Sequence, residues 1–182
     1  MIVVDSYTTT PNDYSGIKLD VGHGCNFVAS KDYTVVACAF ILYREDGSDP
    51  NATHWHITAV DGDGHPTGAD LCTSVVISYT TLTIDVDTVT FVDMQFDSTA
   101  ALSSATKYAL YGTNDDDNYN LHIRMATPGS GGNRLQSISG VWYNCQTLGG
   151  YCANSVNFRT YEAEPPSAGG RKRQDLTLLG VG

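Results

Sequence analysis

Lys107-Tyr108-Ala109-Leu110-Tyr111, then Asn114-Asp115-Asp116-Asp117-Asn118, then Tyr119-Asn120-Leu121-His122-Ile123-Arg124-Met125 is the stretch on which the fold turns. In its second arm Tyr119, Leu121, Ile123 and Met125 alternate with Asn118, Asn120, His122 and Arg124, the period of a strand with one buried and one wet face. In the first arm Tyr108 and Leu110 take the inward positions. Between the arms lie Gly112 and a run of Asn and Asp, residues that tolerate left-handed backbone and bond their own main chain. The stretch therefore predicts a β-hairpin.

The same patterning extends outward. Residues 34–43 form the longest apolar run, Val35, Val36, Cys38, Phe40, Ile41 and Leu42 without a turn residue, which predicts a central strand buried on both faces. Trp55, Ile57 and Ala59 alternate with His54, His56 and Thr58 in a strand whose inward residues include Trp55. An irregular connection of eight residues, 61–68, with three glycines and one proline follows. Val92, Met94 and Phe96 alternate with Asp93 and Gln95. Short strands are expected at 2–4, 75–77 and 141–143, and a last strand has Val156 and Phe158 facing in, Asn157 and Arg159 facing out. The segment 11–24 is polar and turn-rich, and 127–133 is a Gly-rich link. No helical period appears anywhere, so the fold class expected is all-β, an antiparallel β-sandwich of jelly-roll type.

A chain of 182 residues fits one domain and buries roughly 70% of its unfolded surface. It can fold without staples. The net charge of −10 disfavours nucleic acid and anionic membrane as partners. No run approaches the roughly 20 apolar residues that span a bilayer. The opening Met1-Ile2-Val3-Val4-Asp5-Ser6 lacks the basic region and apolar core of a signal peptide. Five cysteines leave one over in any full pairing, although Cys145 and Cys152 bracket Gly149-Gly150 and are spaced to bridge in an oxidising environment.

The chain divides at about residue 162. Residues 1–162 carry 18 acidic and 7 basic side chains, whereas 163–182 carry 2 and 3, so the tail is +1 against a −11 body. Pro165-Pro166 and Gly169-Gly170 have linker composition. Beyond them Arg171-Lys172-Arg173 precede Leu176, Leu178, Leu179 and Val181, side chains that a short segment cannot bury against itself. The tail is expected to dock on a neighbouring subunit, its basic triplet drawn to the acidic body.

Several pieces together resemble a known group. Val3-Val4-Asp5-Ser6-Tyr7, Ile57-Thr58-Ala59-Val60 leading to Pro66-Thr67-Gly68, Thr106-Lys107-Tyr108-Ala109-Leu110, Asn118-Tyr119 and Ser139-Gly140-Val141-Trp142 are similar to jelly-roll domains of tailed-phage and metagenomic virion proteins, whose architecture is in turn similar to carbohydrate-binding modules. The resemblance implies a non-enzymatic virion structural protein, a capsid decoration or tail-associated subunit present in repeated copies. Its partners would be identical subunits or other virion proteins, with host surface glycans as the alternative ligand. A virion protein made in the host cytoplasm and released by lysis needs no export signal.

For site chemistry, Trp142 and Tyr143 are adjacent and so point to opposite faces, leaving one as a sugar-stacking platform. The Tyr-rich composition, eleven copies, fits the same reading. Asp115, Asp116 and Asp117 are the candidate metal ligands, hard oxygen donors suited to calcium; no other cofactor is expected. Asp61-x-Asp63-Gly64 opens like a calcium loop but lacks the later Glu and reads better as a turn. His54 and His56, two apart on one strand face with His65 following, suit surface or interface roles better than zinc. No Gly-x-Ser-x-Gly elbow and no Cys–His pairing suggests a nucleophile, so no enzyme activity is expected.

Overall fold

The computed structural model describes residues 1–11, 13–17, 21–44, 53–74, 82, 84–114, 121–126, 133–144 and 154–165. Within them thirteen strands form two antiparallel sheets packed face to face, a β-sandwich. The strands are β1 (Ile2–Tyr7), β2 (Asp13–Ile17), β3 (His23–Val28), β4 (Tyr33–Arg44), β5 (Thr53–Val60), β6 (Pro66–Thr73), β7 (Phe91–Leu102), β8 (Lys107–Asn114), β9 (Leu121–Ala126), β10 (Arg134–Ile138), β11 (Val141–Asn144), β12 (Ser155–Val156) and β13 (Phe158–Glu162). One sheet runs β1-β13-β4-β9-β12, with β2 beside β9 and β7 beside β4. The other runs β11-β10-β3-β8-β5-β6. Among the described residues no helix is long and apolar enough to cross a membrane.

The central strand is where its composition puts it. β4 pairs with β7, β13 and β9, sends Cys38, Phe40 and Leu42 into the core between the sheets, and keeps Ala37 and Ala39 fully buried on the other face beside Tyr161. Phe40 stacks on Trp55 from the opposite sheet with ring centroids 4.2 Å apart, a contact worth about 0.5–1.5 kcal/mol beyond the area it buries. Met94 and Phe96 face in from β7, as the alternation predicts.

The expected hairpin does not form. β8 pairs with β3 and β5 in the six-stranded sheet, whereas β9 pairs with β2, β4 and β12 in the other. The chain therefore crosses the sandwich between these strands. Tyr108 and Leu110 reach the core from one side, Leu121, Ile123 and Met125 from the other. The wet face of β9 is also absent. His122 stacks on Tyr43 at 5.0 Å, and the Arg124 guanidinium donates to the Pro11 carbonyl at 3.3 Å, both side chains buried.

Other expectations change in detail. Pro66–Gly68 belong to β6, an edge strand where a residue without an N–H costs no ladder bond, so the irregular connection shrinks to 61–65. Ala59 is exposed and Thr58 buried, although β5 keeps an unbroken register with β8 through Ala59; the β5–β6 irregularity lies on the β6 side. The last strand breaks at Asn157, which is buried, its amide oxygen accepting from the Thr9 N–H at 2.7 Å and the Thr9 hydroxyl at 3.3 Å. The strands β2, β3 and β10 lie in stretches whose polar composition hides them. Residues 75–77, the Cys145–Cys152 loop and the tail from residue 166 on lie outside the described residues.

Candidate functional site

The outer face of the six-stranded sheet collects the side chains with chemistry. On β5 alternation sends Thr53, Trp55 and Ile57 inward and leaves His54 and His56 outside, and on β8 it leaves Tyr111 and Thr113 outside opposite them. His56 stacks on Tyr111 with centroids 5.1 Å apart and planes 20° apart. Its Nδ1 lies 2.8 Å from Asp70 Oδ2 on β6, and its Nε2 2.9 Å from Thr113 Oγ1. An ionised carboxylate only accepts, so Nδ1 carries the proton; in the neutral ring Nε2 then accepts from the Thr113 hydroxyl. Thr73 adds a third member, its hydroxyl donating to Asp70 Oδ2 at 3.2 Å.

Trp142 completes the row from three strands away. The β10–β11 hairpin turns on Ser139 and Gly140, with φ of 50° and 76°, the two-residue left-handed turn that matches strand twist. That turn puts Trp142 on the outer face and Tyr143 on the other. Trp142 then lies across β3 to meet Tyr111, centroids 4.5 Å apart at 60°. Gly22, just before β3, leaves it room: a Cβ there would stand 3.0 Å from the Trp142 ring. Burial pushes the Tyr111 phenol well above its ordinary range, and the charge of Asp70 adds to the effect. Tyr111 stays a neutral donor.

His54 does not share a ligand position with His56. Their ring centroids are 6.4 Å apart, His56 has both nitrogens engaged, and His54 Nδ1 sits 3.4 Å from the Ser74 carbonyl. His65 belongs elsewhere, in the β5–β6 turn with Asp61 and Asp63, where the three donor atoms lie within 4.8 Å of one another. There Asp61 Oδ1 accepts the N–H groups of Asp63 and His65, both at 2.9 Å, and Oδ2 faces His65 Nδ1 at 3.4 Å. Those backbone bonds, that of His65 foremost, hold the Asp61 carboxyl below its usual range. This carboxylate closes its own turn, as the sequence suggests. The turn is fixed to the sheet by Asn144, whose amide donates to the Asp63 carbonyl at 2.6 Å.

The row thus uses Trp142 and His56, which the sequence singles out, and Tyr111, Asp70 and Thr113, which it does not. Tyr143 lies on the opposite face, paired across from Gln136. Asp115, Asp116 and Asp117, and Arg171, Lys172, Arg173, Leu176, Leu178 and Leu179, lie outside the described residues. Comparison with family models, with curated proteins and with solved structures returned no match, so the site's own geometry carries the functional reading.

Proposed function

We propose that the chain is a non-enzymatic binding protein that holds carbohydrate on the outer face of the six-stranded sheet. One observation carries this: half-buried Trp142, buried Tyr111, His56 and Asp70 form a continuous row, from aromatic rings to a carboxylate. Sugars present apolar C–H faces and hydroxyl edges, and this row offers a partner for each. Asp70–His56–Thr113 has the connectivity of a hydroxyl-activating relay. A relay needs oxyanion donors and a water-excluding cleft as well, and we assign these three residues to fixing the imidazole against Tyr111. A glycan array tests the reading with the wild type, Trp142→Ala and Tyr143→Ala. Binding by the wild type and Tyr143→Ala, lost in Trp142→Ala, is expected; no glycan bound above background refutes it.

A second reading, a virion subunit in repeated copies, is compatible with the first and has its own support. Met1, Ile2 and Val3 are 44%, 41% and 44% exposed on or beside edge strand β1, an apolar edge of the kind that pairs with another chain. The strand order β1-β13-β4-β7 opposite β3-β8-β5-β6 supports the jelly-roll reading, an eight-stranded double Greek key on which capsid and lectin domains are built. Deleting residues 168–182 should leave the thermal transition within about 2 °C and abolish attachment to particles. Unimpaired attachment removes the docking role of the tail.

A further inference from the structure

We infer that the Trp142–Asp70 face selects neutral pyranose units and rejects anionic ones, with Asp70 setting the choice. The inference rests on the carbohydrate reading above and names the class of sugar. A carboxylate offers about four acceptor positions. On Asp70, His56 Nδ1 at 2.8 Å and the Thr73 hydroxyl at 3.2 Å both engage Oδ2, and the side chain remains 37% exposed. Acceptor capacity on Oδ1 therefore remains for a sugar hydroxyl. Hydroxyls donate to it; a carboxylate or sulfate on the sugar cannot.

Among the described residues the charge around that acceptor is one-sided. With its carboxylate ionised, the His56–Asp70 pair carries no net positive charge. In the six strands of this sheet the only Lys and Arg are Lys107 and Arg134. Arg134 is buried with His23 and Gln136. Lys107 stands four residues before Tyr111 on β8, about 13 Å along the strand. Sites that take anionic sugars bring a guanidinium or ammonium to the charge. Here the exposed charges added on this side are Asp61 and Asp63, in the turn that Asn144 holds. An anion placed on the row meets the Asp70 carboxylate itself, and like charges in contact cost a substantial part of the binding energy.

The test is calorimetry on matched oligosaccharide pairs that differ only by a terminal uronic or sialic acid in place of a neutral sugar. The neutral member should bind at least about tenfold tighter at low salt, where screening is weakest. Raising the salt to about 0.5 M should narrow that gap, as should Asp70→Asn, which keeps an acceptor and loses the charge. Equal or tighter binding of the acidic member overturns the selectivity and leaves carbohydrate binding standing. A gap unmoved by salt in the wild type also overturns it, without depending on the variant's folding. Binding of neither member removes the carbohydrate reading and this inference with it.

Discussion

Asp5 is a buried carboxylate in an edge strand, and its removal should destabilise the sandwich measurably. β1 shifts register against β13 between Val3 and Ser6, and Asp5 lies in that irregularity with 7% of its surface exposed. Its Oδ2 accepts from the Tyr33 phenol at 2.9 Å and its Oδ1 from the Ser30 N–H at 3.0 Å, while its own N–H donates to Thr160 Oγ1 at 3.2 Å. Tyr33 and Thr160 hydroxyls meet at 2.7 Å, so β1, β4 and β13 share one network. In Asp5→Ala the phenol keeps Thr160 but loses a charge-assisted bond worth about 1.5–3 kcal/mol, and the partly exposed Ser30 N–H turns to water at smaller cost. The expected loss is about 2–4 kcal/mol, which for a chain of this length lowers Tm by roughly 4–16 °C. Urea and thermal unfolding measure it, and a cycle of Asp5→Asn with Tyr33→Phe isolates the pair, with a coupling of about 0.5–3 kcal/mol expected. A loss under about 0.5 kcal/mol in Asp5→Ala, or additive single variants, would refute the assignment.

Three further outcomes follow from the core and the β5–β6 turn. Gly112→Ala puts a Cβ 2.9–3.1 Å from the Trp55 ring, which is fully buried and stacked on Phe40, so a cost of about 1–3 kcal/mol is expected and an unchanged urea midpoint speaks against it. Cys25, Cys38 and Cys72 are buried thiols, and burial pushes all three up, Cys72 to about 12. Native-state alkylation mapped by mass spectrometry should reach them only through global opening, and modification at the rate of a free thiol contradicts their burial. Asp61 has a lowered folded pKa, so the stability it lends its turn is present above the ordinary value of 3.8 and is lost as pH falls through the lower folded value. The Asp63 and His65 amide shifts should therefore titrate with a midpoint below 3.8, and a midpoint at or above it removes the hydrogen bonds from the account.

Which residues face the core was legible from alternation; which strands are neighbours was not. β4 could be read directly because an unbroken apolar run buries both faces, and Ala37 and Ala39 do lie fully buried behind Phe40. β8 and β9 show the limit. Tyr108 and Leu110 meet Leu121, Ile123 and Met125 in one core, yet from opposite sheets, and a hairpin would have given the same inward pattern. Period two assigns a side chain to a face and says nothing about the sheet that face belongs to. Only the turn carries that information: Ser139-Gly140 permits two residues and a hairpin, whereas β8 ends at Asn114 and β9 begins at Leu121, with room to cross. His122 and Arg124 depart from the alternation for a related reason. Neighbours on both flanks of β9 and the Tyr43 and Pro11 contacts cover a face that polar side chains alone suggest is wet. The functional row is the same problem one level higher. His56 finds Asp70 fourteen residues away through a hairpin and Thr113 fifty-seven away through a strand pairing, and Trp142 meets Tyr111 beside Gly22, where a Cβ would crowd its ring. Each of those residues has an ordinary structural reason to be where it is. Their conjunction is a property of sheet order, and it becomes chemistry only when the six strands stand in line.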